Sequence, residues 1–374
     1  MALAFVPRPI AALPWRMLWI VMAIATFGVF GLYSASTQMG GALMPYALPH
    51  AARFVIFLGM AIAMSYARPA RYQEWAFAAY GAVILLLILV EAIGAVGGGA
   101  QSWLDLGLIR IQPSELAKPV LVLVLARFYA AVPPREIRRW SAIWPAALLF
   151  AVPTGMILIQ PDLGTAMLIT FTTVVMMFLA GLPLWMFFAG GAAVAVAIPL
   201  AYNFLLMPHQ QERVLIFLNP EQDPLGAGYH LTQSKIAIGS GGIFGKGFLN
   251  GSQSHGQFLP EQHTDFIFAA LAEEWGLAGG LVLILLFVLL LRWGMRVASD
   301  AGTRFEKLAA AGMTATIFFY AAINLLMVVG LAPVVGIPLP LVSYGGSAMM
   351  TVMICLGILM AIDRNTRKDD HRRG

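Results

Sequence analysis

Charged residues are scarce in this sequence. Only 11% of its 374 residues are Asp, Glu, Lys or Arg, whereas 60% are hydrophobic. A soluble domain typically has charged side chains at about a quarter of its positions, so this composition excludes an ordinary soluble globular protein. It predicts an all-α, polytopic integral membrane protein with several spanning helices and little soluble mass.

Cysteine is almost absent as well. The one cysteine, Cys355, lies inside the last apolar run, which excludes an internal disulfide and any metal site made of several cysteines. We interpret it as a small packing residue. The net charge of +5 does not indicate a nucleic-acid partner, because the basic residues form short clusters between apolar runs, as membrane topology requires.

Ten apolar runs are long enough to cross a bilayer, which takes about 20 residues per helix. We predict spanning helices at 17–37, 51–67, 75–95, 115–132, 142–160, 163–180, 184–206, 266–291, 308–332 and 345–362. A single membrane domain then covers residues 1–374, with one long extracytoplasmic loop at 207–265. That loop is too long to be a simple connector, and its apolar stretches predict short amphipathic elements lying on the membrane.

The distribution of basic residues predicts the orientation. With a cytoplasmic N-terminus, 17 of the 23 Lys and Arg residues fall on the cytoplasmic side, in line with the positive-inside rule. Both termini are therefore predicted to be cytoplasmic. The remaining six cations lie on the outer side: Arg53, Arg110, Lys118, Arg213, Lys235 and Lys246. Because these six oppose the topology bias, we expect them to include functional residues.

Two outer regions, 97–119 and 207–265, carry five of these cations. In the first, Glu115 and Lys118 are three residues apart and share a helix face. They form either a neutralised ion pair that merely ends the helix or the polar wall of a cavity, since ionisable groups at membrane depth are usually functional. In the second, SGGIFGKG at 240–247 departs from the phosphate-loop pattern at its first and last positions. Its glycines predict tight turns or a backbone that closely approaches a ligand.

Asp265 lies where the long loop meets an apolar helix. We interpret it as an N-terminal helix cap or as a functional carboxylate, two roles that are compatible. Partial desolvation at the water–lipid boundary predicts a raised pKa for its carboxyl group. Glu273 and Glu274 follow in the same helix, about 100° apart, so both cannot face one cavity, and the sequence does not distinguish their roles.

The region that joins the last two helices, 331–350, contains three prolines and a Gly-Gly pair, which predicts a rigid and partly re-entrant segment. Its polar residues either line a cavity or only cap the last helix. These residues are Ser343, Tyr344 and Ser347.

Four segments together resemble the SEDS family of cell-wall polymerases (shape, elongation, division and sporulation). They are IQPSELAK (111–118), RVLIFLNPEQDPLGAGYHLTQSKIAIGSGGIFGKG (213–247), FLPEQHTDFIFAALAEEWGL (258–277) and PVVGIPLPLVSYGGSAM (333–349). Lys235 in QSKIAIGSGG and the GKG at 245–247 favour the rod-elongation branch, RodA. The ten-span plan extends the resemblance over the whole chain.

This resemblance implies a peptidoglycan glycosyltransferase that polymerises lipid II into glycan strands during cell elongation. Lipid II is a disaccharide-pentapeptide on undecaprenyl diphosphate, and the reaction would take place at the outer face of the bacterial cytoplasmic (inner) membrane. The implied partners are a class B penicillin-binding protein, which is a transpeptidase, and other elongation-complex proteins. The implied cofactor is a divalent cation, Mg or Mn, with unknown ligands and no organic cofactor. The family's essential carboxylate falls on Asp265, and its polar pair falls on Glu115 and Lys118.

The chemistry can be argued from the substrate. An α-linked diphosphate donor and a β-linked product require one inverting displacement, with a base on the acceptor hydroxyl and cations at the leaving diphosphate. Asp265 is the candidate base, and Glu115 would orient Lys118 or hold a metal ion. The candidate cations for the diphosphate are Lys118, Arg213, Lys235, Arg110 and Lys246.

Two other classes of function remain open. A lipid II flippase or another transporter would suit a chain with many spans, but it predicts inverted repeats and broken helices near the midplane. A non-catalytic scaffold for the transpeptidase would leave Asp265 dispensable for chemistry. The polar residues concentrate on one face of the membrane, which favours surface chemistry on a lipid-linked substrate.

Overall fold

The computed structural model describes residues 13–36, 45–97, 100–105, 110–204, 211, 227–255 and 261–373. Its longer helices are α1 (Trp15–Ser36), α2 (Ala47–Ser65), α3 (Pro69–Ile93), α4 (Pro113–Ala131), α5 (Trp140–Ile159), α6 (Leu163–Ala180), α7 (Leu184–Phe204), α8 (Ala227–Ser240), α10 (Ile267–Asp300), α11 (Arg304–Val328) and α12 (Gly346–Arg373). A single turn, α9 (Ser252–His255), lies between α8 and α10. Three short strands precede α4: β1 (Ala95–Gly97), β2 (Ala100–Asp105) and β3 (Arg110–Ile111).

Nine helices in the described part of the chain are long and apolar enough to cross a membrane. They match nine of the ten predicted spans, so the all-α membrane architecture is confirmed. The tenth predicted span, 115–132, is α4, a helix of 19 residues whose charged side chains keep it out of that group. Because α4 is largely buried in the bundle, its Glu115 and Lys118 contact protein rather than lipid.

Helices α11 and α12 form much of the core. Two thirds or more of the most apolar window of each is buried, and α11 packs against α4, α6 and α10. Cys355 in α12 is fully buried and free, as predicted for a packing residue. The small residues of α11, such as Ala309, Ala310 and Gly312, allow neighbouring helices to approach closely in the membrane.

The segment between α3 and α4 contains a small sheet that the sequence analysis did not predict. Strands β1 and β2 pair antiparallel, with Gly97 opposite Ala100, and β2 pairs antiparallel with β3 through Asp105 and Arg110. This small sheet covers the N-terminal end of α4. Sequence periodicity missed it because strands of two to six residues contain too few alternations to be distinguished from a loop.

The side chain of Arg304 connects α11 to the ends of α4 and α6. Arg304, the first residue of α11, donates to the carbonyl oxygens of Val132 and Ala180 at 2.7 and 3.2 Å, just past the end of α4 and at the end of α6. Thr303 and Glu306 form a capping box at the same place. These bonds satisfy backbone groups that helix ends leave unpaired, and they hold α11 in register with α4 and α6.

Candidate active site

A buried triad of polar side chains connects α4 and α11. Lys118 Nζ donates to Glu115 Oε1 at 2.6 Å and to the Tyr320 hydroxyl at 2.6 Å. That hydroxyl in turn donates to Glu115 Oε2 through a short hydrogen bond. The side chains of Lys118 and Glu115 are only 2% and 6% exposed. The pair is therefore a buried network rather than a snorkelling pair that merely ends a helix, and each charge has the partner that burial demands.

Helix α11, which carries Tyr320 of this triad, also holds the backbone of Asp265. Asn324 Nδ2 donates to the backbone oxygens of Asp265 and Ile337 at 2.8 and 2.7 Å. Tyr320 and Asn324 are four residues apart, so they share one face of α11 with a rise of about 6 Å between them. A single helix face thus connects the loop that carries Asp265 to the Glu115–Lys118 pair.

Asp265 does not cap α10. The N-cap position of that helix is Phe266, without a side-chain hydrogen bond, so the interpretation of Asp265 as a helix cap is wrong. The physical reason is that the chain turns through 261–266, where backbone bonds such as Phe266 N to Glu261 O replace a side-chain cap. The Asp265 carboxylate is therefore not used in capping and remains available to contact a substrate.

The surroundings of Asp265 favour its protonated form. The pKa of its carboxyl group is raised from 3.8 to about 6, mainly by burial and in smaller part by the nearby Glu261 carboxylate. No described residue donates a hydrogen bond to the carboxylate that would offset this desolvation. Gly336 faces it closely, since a Cβ at Gly336 would lie 3.5 Å from Asp265 Oδ2.

His263, two residues before Asp265 in the chain, belongs to an aromatic cluster. His263 stacks on Tyr46 with ring centroids 4.3 Å apart, and its backbone oxygen accepts from Tyr344 N at 2.9 Å. Burial lowers the pKa of His263 and outweighs the opposing effect of Glu261. Arg53, one of the six outer cations, lies over the Tyr344 ring at 4.7 Å. Tyr344 thus contributes to a cation–aromatic wall beside the site.

The other two polar residues predicted in this region, Ser343 and Ser347, are buried. Ser343 Oγ accepts from Leu339 N at 2.8 Å and is 3% exposed, which fixes the turn at 339–343. Ser343 precedes α12 by three residues, so its hydroxyl does not cap that helix. Ser347 lies in the first turn of α12 and is buried.

Among the described residues, no predicted cation pairs with the Asp265 carboxylate. Lys235, on α8, is exposed and its side chain lies against Gly330, where a Cβ would approach its Nζ to 2.7 Å. Arg110 is paired with Asp105 at 2.9 Å and is 73% exposed on the small sheet. Arg213 lies outside the described residues. Lys246 is bound to Glu273 at 2.6 Å.

Glu273 and Glu274 both lie in buried positions and have different partners. Glu273 accepts from Lys246, Ser252 and the backbone of Gln253, whereas Glu274 accepts from the Ser34 hydroxyl of α1. The prediction that the two carboxylates cannot face one cavity is consistent with this arrangement. Asp162 caps α6 by accepting from Thr165 N at 3.0 Å.

The sequence analysis missed two residues of the site, Tyr320 and Asn324. They are polar residues spaced four apart in an otherwise apolar helix, a pattern that marks one polar stripe facing protein rather than lipid. That pattern was visible in the sequence.

A divalent cation would need oxygen ligands. In the described residues, no group of three or more His, Cys, Asp and Glu side chains comes together in a way that could hold a metal ion, and Glu115 is already engaged by Lys118 and Tyr320. Within the part of the chain that the structure describes, the side chains therefore do not form a metal site by themselves. Mg²⁺ is commonly held by one or two carboxylates together with substrate phosphates, so the cation remains a prediction tied to the substrate.

A family model, FTSW_RODA_SPOVE, described as "Cell cycle protein", matches residues 15–368. The chain belongs to the FtsW/RodA/SpoVE family. It is 44% identical over 347 residues to "Peptidoglycan glycosyltransferase MrdB" of Escherichia coli (strain K12), covering 92% of each chain. It is 32% identical to "Peptidoglycan glycosyltransferase RodA" of Treponema pallidum (strain Nichols), over 95% of this chain and 98% of the relative.

Solved structures of this family have the same architecture. One chain of a peptidoglycan synthase complex, studied for the coordination of polymerization and crosslinking, matches with a TM-score of 0.81 at 32% identity, over 96% of this chain and 99% of that one. The rod shape determining protein RodA of Thermus thermophilus matches with a TM-score of 0.71 at 30% identity, over 94% and 97%. These FtsW/RodA/SpoVE matches confirm the SEDS resemblance and identify a multi-pass protein of the bacterial inner membrane.

Proposed function

We propose that this protein is a peptidoglycan glycosyltransferase that polymerises lipid II into glycan strands, with Asp265 as the base. The observation that carries the proposal is the half-buried Asp265 carboxyl group, whose pKa is raised to about 6. Asn324 holds the backbone of Asp265 on the same face of α11 that carries Tyr320 of the triad. The 44% identity to a peptidoglycan glycosyltransferase over 92% of the chain supports the assignment.

The reaction would be a single inverting displacement. Asp265 accepts the proton of the acceptor sugar hydroxyl while the oxygen of that hydroxyl forms a bond to the anomeric carbon of the donor. The bond from that carbon to the diphosphate breaks, and undecaprenyl diphosphate leaves with the electron pair. A base whose pKa lies near 6 is largely ionised at neutral pH and still accepts a proton more readily than an ordinary carboxylate.

The cations divide between two roles in this proposal. Lys235 is exposed, and no described carboxylate pairs with it, so its ammonium group is available for the leaving diphosphate. Arg213 would serve with it. Lys118 is almost fully buried against Glu115 and Tyr320. We therefore assign Lys118 and Glu115 to a polar network that supports the site, and not to direct contact with the substrate in this conformation.

The proposal includes the orientation and the partner. Both termini would be cytoplasmic and Asp265 would lie at the outer face, which the 17 to 6 distribution of Lys and Arg supports. The partner would be a class B penicillin-binding protein that cross-links the product within an elongation complex. The structural similarity to a chain of a peptidoglycan synthase complex supports this.

The test uses the purified full-length protein with its transpeptidase partner, labelled lipid II and a divalent cation. Glycan polymer should form with the wild type, fail to form with Asp265→Ala, and form normally with the control Asp105→Asn, which changes an exposed carboxylate on the small sheet. Polymer from Asp265→Ala would refute the base assignment. Wild-type protein that moves lipid II across vesicles without making polymer would indicate transport, and protein inactive in both assays would indicate a scaffold.

A further inference from the structure

Helix α10 is interrupted at Gly276, whose φ and ψ of 67° and −167° are not helical. At this break the loop that follows α8 makes backbone hydrogen bonds to the helix. Lys246 N and Gly247 N donate to the carbonyl oxygens of Glu273 and Glu274, both at 3.0 Å. In the other direction, Leu277 N and Ala278 N donate to the oxygens of Gly242 and Ile243 at 2.9 and 3.0 Å. The loop thus replaces helical hydrogen bonds that the break removes.

Glycine makes this close approach feasible. A Cβ at Gly241 would clash with the Ala272 carbonyl, and one at Gly245 would clash with Glu274. Gly245 and Gly276 also have φ of 79° and 67°, which side-chain-bearing residues rarely adopt. The glycines of SGGIFGKG therefore allow close contact with a second segment of the same chain. The sequence predicts tight turns or close approach to a ligand, and in this structure the approached group is the backbone of α10.

A buried carboxylate fastens the docked loop. Glu273 is 0% exposed and accepts from Lys246 Nζ at 2.6 Å, Ser252 Oγ at 3.1 Å and Gln253 N at 2.9 Å. Lys246 Nζ also donates to Ser252 Oγ at 2.7 Å. One carboxylate thus bridges both ends of the segment 246–253. We call Glu273 with Lys246, Ser252 and Gln253 the loop latch.

The loop latch lies directly after α8, the helix that carries Lys235. Along α8, Ser234 Oγ donates to Val328 O at 2.8 Å, and the Lys235 side chain lies against Gly330 at the end of α11. Helix α8 also packs against α10, and its end at Ser240 leads into the loop that docks on α10. Loss of the loop latch would remove the attachment beyond Ser240, so this end of α8 could shift on α10 and move the Lys235 ammonium group.

We propose that Glu273 is a positioning residue, which acts through the loop latch to hold α8 so that Lys235 presents its ammonium group to the diphosphate of lipid II. This inference rests on the proposed function, because it assigns a role within that reaction. Asp265 is held separately by Asn324, so loss of the loop latch should weaken substrate binding more than it slows the chemical step.

The first test measures hydrogen exchange and needs no activity. The Glu273→Gln variant loses the charge that Lys246 pairs with but retains nearly the same shape, so the amides of Lys246 and Gly247 should exchange about tenfold faster or more. The matched control is Glu136→Gln, which removes a carboxylate from an exposed pair with Arg139 and should leave that exchange unchanged. Equal exchange in Glu273→Gln and wild type would overturn the inference.

The second test is a double-mutant cycle on lipid II polymerisation. Glu273→Gln should raise KM about tenfold with a smaller change in kcat, but only about twofold or less in a Lys235→Ala background, because residues that act through one another are not additive. The same KM increase in both backgrounds, or an effect on kcat alone, would overturn positioning through Lys235.

Two further results keep these tests decisive. If Glu273→Gln does not fold, Lys246→Gln removes the other half of the pair at a side chain that is 28% exposed, with the same expectations for exchange and KM. A wild-type protein that makes no polymer would refute the proposed function, while exchange at Lys246 and Gly247 would still accept or reject the loop latch.

Discussion

Replacing Asp265 with Asn should stabilise the protein at neutral pH while abolishing its polymerase activity. Folding raises the pKa of Asp265 from 3.8 to about 6, so the folded protein holds this proton more tightly than the unfolded chain does. Ionisation therefore costs folding free energy, and this cost is absent below pH 3.8 and complete above the folded pKa. The interval of about two pKa units corresponds to about 3 kcal/mol, an upper value because the side chain retains some contact with solvent.

The assay is thermal unfolding in detergent between pH 4 and 8 (roughly the range that spans both pKa values). Asp265→Asn should unfold at a higher temperature than wild type at pH 8, and the difference should shrink as the pH falls through 6. In the wild type, kcat/KM should rise with pH with a midpoint near 6, since the base of the free protein must be ionised. Asp105→Asn, at an exposed pair, should show no gain in stability. An Asp265→Asn variant that is no more stable at any pH, or a flat kcat/KM profile of the wild type, would refute this account.

Two further predictions follow from the contacts of single residues. Tyr320→Phe removes the hydroxyl between Lys118 and Glu115. We expect a large loss of polymerisation rate, measured by initial rates, and a stability loss of about 1–3 kcal/mol, measured by thermal unfolding. An unchanged rate would argue against a role for the triad. Gly245→Ala should destabilise the protein in the same unfolding assay, because its Cβ would clash with Glu274. The control Gly239→Ala, whose Cβ would have no atom within 4 Å, should be neutral or stabilising. Equal effects of the two variants would contradict the docked loop.

The sequence was informative wherever the controlling physics is local. Apolar runs of about 20 residues predict spans because a bilayer sets their length, and nine of the ten predicted spans meet that test in the structure. The spacing of Glu115 and Lys118 predicts their contact because residues three apart share a helix face. The position of Asp265 before an apolar run likewise predicts partial desolvation and a raised pKa.

Tertiary structure decided which of these groups belong together. Tyr320 meets Glu115 across 205 residues of sequence, and Asn324 reaches Asp265 across 59. Such pairs depend on how helices pack, a property that no short window of sequence contains. The interrupted helix shows the same limit, because the glycines of SGGIFGKG predict a close approach of the backbone but do not identify the group that is approached. For Glu273 and Glu274, the sequence determined only that they point in different directions, and the packing of the loop and of α1 determined what each one holds.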